Sequence, residues 1–203
     1  MSQYSQPDFW SLKARKEGYP ARSVYKLKEI DEKFGVFKRF CGKALDLGAA
    51  PGSWSLYTLR RVGAAGSLAA VDLSPLSRQY DKGLFDKENF RFLQGDMTSM
   101  EIRDAALALG PFNAVLCDAA PATTGNSAID AIRSLALSET AFEYAESALA
   151  QGGVFVVKVF QGGDSASLLK RIRGLFSQGR SFKPQSCRKG SFETYYIGLG
   201  KKS

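Results

Sequence analysis

The chain has 203 residues, 44% of them hydrophobic and 24% charged, with a formal net charge of +8. It contains no histidine, which excludes a Ser-His-Asp triad, a His-ligated metal and an imidazole base. Its three scattered cysteines, Cys41, Cys117 and Cys187, lack C-x-x-C spacing and suggest neither a disulfide framework nor a structural zinc site. This length suffices for one substantial core, expected to span 1–203 as a single domain. No apolar run is long enough to cross a bilayer, and the polar start from Met1 to Trp10 is unlike a signal or transit peptide. A soluble, cytoplasmic protein is expected.

In chain order, Phe9 to Glu17 reads as a short basic helix stopped by Gly18-Tyr19-Pro20. Ser23 is then expected to cap a helix running to about Phe34, with Val24, Leu27 and Ile30 as its apolar stripe and Lys26 and Lys28 elsewhere on its circumference. Ala44 to Leu47 is a buried strand that runs through Gly48-Ala49-Ala50-Pro51-Gly52 into a helix from Ser53. Ser67 to Val71, Phe90 to Gln94 and Ala114 to Cys117 are further strands, ending at Asp72, Gly95-Asp96 and Asp118. A helix over Glu101 to Leu109 separates the last two. A long helix, roughly Ala128 to Leu149, shows Ile132, Leu135, Ala136 and Phe142 as apolar positions and is expected to stop at Gly152-Gly153. The strand Val154 to Phe160, a helix over Leu168 to Phe176 and two strands near Phe182 and at Thr194 to Leu199 complete the chain. Such alternation predicts an α/β fold with a mostly parallel sheet.

The loop after the first strand favours one kind of ligand. Gly48 and Gly52 permit backbone angles closed to other residues and a close approach of ligand to main chain. The loop is not G-x-G-x-x-G, and Pro51 removes an amide that a pyrophosphate would have used. S-adenosylmethionine, which carries no phosphate, fits better. Asp72 lies 24 residues after Gly48, near the spacing at which an acid meets ribose hydroxyls. Taken singly, each Asp after a strand is a turn former or helix cap. Several acids on one sheet edge are harder to explain that way, and they suit hydroxyl, amino and ammonium groups.

Charge is unevenly spread along the chain. Residues 1–43 hold ten Lys or Arg against five acids and residues 170–203 nine against one, whereas 44–169 hold nine against fourteen. Two basic ends folded over one cleft would give a cationic rim around an acidic pocket, as a polyanionic substrate requires. Tyr4, Phe9, Trp10 and Tyr19 interleave with Lys13, Arg15, Lys16 and Arg22, a mixture suited to phosphate contacts and base stacking. Lys158 is the one charge in an apolar strand, and such lysines are rarely buried unless paired. Either desolvation or a pair with Asp118 on the neighbouring strand governs it. Glu193, the single acid of the basic C-terminal segment, could meet Lys158 or a second lysine.

Five segments together resemble the FtsJ-type ribose 2′-O-methyltransferases: Arg22-Ser23-Val24-Tyr25-Lys26-Leu27, Asp46 to Trp54, Cys117-Asp118 with Pro121, Val157-Lys158, and Ser191, Glu193 and Tyr195. The resemblance covers Asp8 to Gly198. It implies a Rossmann-like sheet of seven mostly parallel strands with helices on both faces. It also implies a catalytic tetrad of Lys26, Asp118, Lys158 and Glu193, and an S-adenosylmethionine site at Gly52, Trp54, Asp72, Asp96 and Asp118. The implied substrate is RNA, with a uridine of large-subunit ribosomal RNA in the ribosomal subunit as first choice, and the basic segment 1–43 contributing to its binding. No metal or membrane is expected to take part, and the chain is expected to be a monomer. Two segments depart from the pattern: Ser53 replaces a usual glycine, and Ala119 to Gly125 differs from the family's Met-containing loop. A transfer RNA or messenger-cap substrate, a non-catalytic RNA-binding protein and a nicotinamide-dependent oxidoreductase stay open as alternatives.

Overall fold

The computed structural model describes residues 8–38, 42–162, 164–188 and 190–203, so Tyr4 and Cys41 lie outside the described residues. One seven-stranded sheet is built from β1 (Lys43–Leu47), β2 (Ser67–Asp72), β3 (Phe90–Gln94), β4 (Phe112–Cys117), β5 (Leu149–Phe160), β6 (Phe176–Phe182) and β7 (Glu193–Lys201). Its order is β3-β2-β1-β4-β5-β7-β6. The first five strands pair in parallel, and β7 lies antiparallel between β5 and β6.

Side-chain alternation along these strands divides the core into two layers. Ala44, Leu68, Ala70, Leu116, Val156 and Ile197 face helices α1 (Phe9–Lys16), α2 (Val24–Phe34) and α3 (Ser53–Val62). Their neighbours Leu45, Ala69, Val71, Val115, Phe155 and Val157 face α4 (Met100–Leu107), α5 (Ser127–Ala148) and α6 (Ser165–Leu175). Near-continuous apolar strands are what burial on both faces demands. The expected sheet with helices on both faces is therefore present. Its strand order reverses between β1 and β4, and the crevice at such a switch point is where ligands sit in open parallel sheets.

Three local expectations are corrected. Ser23 takes α-helical angles, φ −56° and ψ −22°, and makes no side-chain cap; its carbonyl instead accepts a 2.9 Å hydrogen bond from Trp54 Nε1, which ties α2 to α3. The long helix ends at Ala148 rather than at the glycine pair. Leu149 already pairs with Phe112, the register then jumps to Val154 against Ala114, and Gly152 at φ +78° turns the intervening bulge. Finally, Ile132 and Ala136 point to solvent, while α5 buries Ser134 and Ser138 beside Ala141, Phe142 and Ala145. Those serines bond to main chain at the end of β5, so polarity at the interface is satisfied rather than misplaced.

The two chain ends meet. Glu29 of α2 accepts hydrogen bonds from the Gln185 and Ser186 amides at 2.6 and 2.9 Å, and the Arg22 guanidinium donates to the Ser186 carbonyl at 2.5 Å. The ammonium of Lys33 sits 4.2 Å from the centre of the Phe182 ring. Both basic segments thus pack against each other and carry Lys26 and Glu193 to the same sheet edge.

Candidate active site

A cavity of about 400 Å³ opens off the carboxyl ends of β1 to β4, with Gly48, Asp72, Asp96, Asp118, Ala119 and Lys158 among its walls. Gly48 must be glycine: at φ +72° a Cβ would stand 2.5 Å from Ala119, against the loop that follows β4. Its amide and that of Ala49 donate to the Val71 carbonyl at 2.9 and 3.1 Å, locking the loop over the end of β2. Asp72 completes the lock, accepting from Ala50 N at 2.9 Å and Ser74 N at 2.8 Å. Asp96 accepts from the amide and hydroxyl of Thr98 through Oδ1, both at 2.8 Å. Each acid is therefore a turn former, and each also stands on the cavity wall with acceptor capacity to spare.

Gly52 and Trp54 are not on that wall. Gly52 faces the Phe85 ring, which a Cβ would meet at 3.0 Å, and the Trp54 indole is buried against Tyr195 with ring centres 5.9 Å apart. What this segment can offer a ligand is main chain. The N-cap of α3 is Gly52, which has no side chain to satisfy the helix's first amides, and such amides suit a carboxylate. Three wall carboxylates and a loop without Lys or Arg disfavour a phosphate; they suit ribose hydroxyls, an amino group and an ammonium. The carboxylates of Asp72, Asp96 and Asp118 around the cavity suit the hydroxyl, amino and ammonium groups of S-adenosylmethionine.

Beside the cavity the structure gathers the four sequence-predicted charges. The Lys158 ammonium contacts Asp118 twice, at 3.1 Å from Oδ1 and 2.5 Å from the main-chain carbonyl. Lys26, from α2, bonds Glu193 at 2.7 Å, a link between residues 167 positions apart. Both pairs are nearly buried, and the Tyr195 hydroxyl joins them by donating to Asp118 Oδ1 at 2.7 Å while its ring lies 6.0 Å from the Lys26 ammonium. Burial alone would raise the Asp118 pKa, but the charges of Lys158 and Lys26 and the Tyr195 hydrogen bond outweigh it and hold the carboxyl below its usual range. Burial would lower the pKa of Lys26, yet Asp118 and Glu193 reverse that and raise it. The quartet is thus a set of mutually supporting charges in a dry setting.

Five further side chains, none of them expected from the sequence as a site residue, support the site. Tyr195 is wholly buried and its pKa is driven far up, first by burial and then by Asp118. The Cys187 thiol lies against Glu193, and burial together with that carboxylate pushes its pKa up to about 12. Ser138 Oγ donates to the Lys158 carbonyl at 2.8 Å, and the Phe160 amide donates to Ser134 Oγ at 3.0 Å, fixing the backbone under the lysine. Asp46 is fully buried beneath the loop; Oδ2 accepts from Ser55 at 2.6 Å and Oδ1 has no partner among the described residues. Burial, helped by Asp118 and Asp72, lifts its pKa to about 7.

The model of the FtsJ-like methyltransferase family matches residues 19–201. A ribosomal RNA large subunit methyltransferase E from Treponema denticola is 53% identical over 99% of this chain and 98% of its own length. A protein of the same name from Borreliella afzelii is 42% identical over 94% and 96%. A crystal structure titled as a ribosomal RNA methyltransferase from Plasmodium falciparum superposes with a TM-score of 0.74 at 24% identity, covering 90% of this chain and 98% of that one. At that identity the superposition speaks for the fold.

Proposed function

Because the chain belongs to the FtsJ-like methyltransferase family, we propose that it transfers a methyl group from S-adenosylmethionine to a ribose 2′-hydroxyl of large-subunit ribosomal RNA. The methyl donor is supported by the family and by a cavity wall on which three carboxylates, Asp72, Asp96 and Asp118, outnumber the single lysine. The RNA is supported by relatives whose names carry that substrate and which match this chain over nearly its whole length. The ribose oxygen as acceptor rests on one observation: two lysine–carboxylate pairs joined through Tyr195 at the edge of the donor cavity.

When bound, S-adenosylmethionine supplies a methyl group already activated on a positively charged sulfur. The chain's own task is to place and activate the acceptor, because alignment alone is worth several kcal/mol. An ammonium has three N–H donors, and Lys158 commits two of them to Asp118. Its third can hold the ribose oxygen and stabilise the negative charge that grows there as the hydroxyl proton passes to a solvent water. Asp118, kept ionised by both lysines, fixes Lys158 and adds favourable charge near a sulfonium. Lys26, held by Glu193, is a second cation facing the same oxygen's surroundings. Asp72 and Asp96 hold the nucleoside; Gly52 and Trp54 act through the main-chain amides of the α3 turn. The basic residues of 1–43 and 170–203 hold the RNA, and the chain works as a single domain.

Large ribosomal subunits from cells lacking the protein, incubated with it and radiolabelled S-adenosylmethionine, are expected to gain one 2′-O-methylated nucleoside on digestion. Transfer RNA and capped messenger RNA are expected to stay unlabelled. Label on a base, or transfer to neither subunits nor rRNA, would refute this function.

A further inference from the structure

Another cavity, of about 260 Å³, is lined by chain neighbours of the tetrad residues and has no part in the chemistry described so far. Thr123, Ser127, Phe160, Gln161, Ser191 and Phe192 line it. Three of the segments that build it are immediate continuations of the strands carrying the tetrad. Residues 123–127 follow β4 and Asp118, Phe160 and Gln161 follow Lys158 on β5, and Ser191 and Phe192 precede Glu193 on β7. The segments are stitched together there: Phe160 pairs with Glu193 across the sheet, and the Gln161 amide donates to the Phe192 carbonyl at 2.8 Å.

Phe192 is 62% exposed, and among the described residues its ring stacks on no other aromatic. Ile129 and Ile132, on the first turns of α5, are exposed as well. An aromatic face left in water at the edge of an active site loses contact with solvent only when something covers it. Among the described residues no Lys or Arg lines the cavity and one carboxylate, Asp130, does, a lining that does not favour a phosphate. Asp130 serves the frame, accepting from the Thr124 amide and hydroxyl at 2.8 Å each. The remaining side chains are two phenylalanine rings, Phe160 and the more exposed Phe192, three hydroxyls and the exposed amide of Gln161, which offers a donor and an acceptor side by side. That is the chemistry of a nucleobase site: a π-face for stacking and an amide for the Watson–Crick edge.

Resting on the ribose methyltransferase reading above, we propose that this cavity receives the base of the very nucleotide whose ribose is methylated, stacked on Phe192 with its edge toward Gln161. Lys158 and Gln161 are three positions apart at the end of β5, about 10 Å of chain, which is within the span of a single nucleotide. A nucleotide that leaves the surrounding stack can carry its 2′-hydroxyl down to a nearly buried lysine, and an extruded base needs a pocket to offset the stacking it gives up. Phe192 and Gln161 are positioning residues here: they touch the base, not the reacting atoms.

Phe192 replaced by photoreactive benzoylphenylalanine, irradiated on large ribosomal subunits that lack the methyl group, tests this directly. The expected crosslink falls on the nucleotide that the wild-type protein methylates. Crosslinks to other nucleotides, to a ribosomal protein, or none above background would overturn the base site. Should the crosslink fall on a single nucleotide that receives its methyl on the base, the pocket stands and the ribose reading fails. In parallel, Phe192→Ala is expected to raise KM for the subunit about ten-fold, as loss of one base stack predicts, with donor affinity unchanged and with Phe192→Tyr restoring the wild-type value. An unchanged KM in Phe192→Ala, or failure of Phe192→Tyr to rescue, would refute the stacking role.

Discussion

The two halves of the site are built on opposite principles. On the donor side Gly48, Asp72 and Asp96 come from short turns at the ends of neighbouring strands, and their bonds run to main chain within a few residues or to the adjacent loop. On the acceptor side Lys26 and Glu193 come from opposite ends of the chain, and their partners are charged side chains in a nearly water-free setting. The donor half is thus a local, solvent-screened construction whose parts can fail one at a time. In the acceptor half each charge is stabilised by the others, so a loss at one member is felt by all.

Lys158→Ala should show this difference most strongly. Removing the donor proposed to hold the acceptor oxygen is expected to slow methyl transfer about 100- to 1000-fold. Stripping Asp118 of its partner should also lower stability by about 3 kcal/mol, since a buried charge is left uncompensated. Donor binding by calorimetry should stay within a few-fold of wild type. A variant that folds, binds the donor and methylates at full rate would remove Lys158 from the site's chemistry.

Asp72→Ala should produce the opposite pattern. Loss of a carboxylate that braces the Ala50 and Ser74 amides and faces the donor is expected to weaken donor affinity about ten-fold or more, with the rate at saturating donor changed much less. Unchanged affinity would show that the cavity holds its ligand elsewhere.

Glu193→Gln lies between these extremes. Lys26 would keep a hydrogen bond but lose its countercharge, and the expected cost is roughly ten-fold in rate. Because Lys26, Asp118 and Lys158 share one field, the double variant with Lys26→Met should lose less than the sum of the two singles. Additive losses in that cycle would mean that the pairs act independently.

How far the sequence discloses each half follows from the same contrast. The donor side is legible because a strand, a glycine turn and an acid are neighbours in the chain, and period and turn chemistry are local signals. Lys158 is legible as a charge in an apolar run, and its pairing with Asp118 follows from adjacent parallel strands. The Lys26–Glu193 pair is different: no periodicity relates residues on α2 and β7, and only the family resemblance brings them together. Tyr195 reads as an ordinary strand aromatic until its hydroxyl is seen on Asp118. The buried face of α5 misleads for a related reason. Ser134 and Ser138 look like surface positions, yet they satisfy the main chain beside Lys158, while the more hydrophobic Ile132 is left in water.

Asp46 stands under both halves, and its expected effect on rate is the smallest. Its pKa in the folded protein is about 7, raised by burial from an ordinary value near 3.8. Between those two values the folded state holds a proton that the unfolded chain has already released, so stability must fall as pH rises through this window. The loss continues until Asp46 is ionised in the folded state as well, a little above pH 7, and its full size is a few kcal/mol. Asp46→Asn cannot ionise and keeps an oxygen to accept from Ser55. Its contribution to stability should therefore be flat from pH 5 to 8.5, so that its stability relative to wild type rises by about 2 kcal/mol or more from the acid to the alkaline end. Chemical denaturation of both proteins across that range measures the difference. Parallel curves would mean that Asp46 is solvated or paired in the folded state, and that the floor shared by donor loop and tetrad carries a charge at all these pH values.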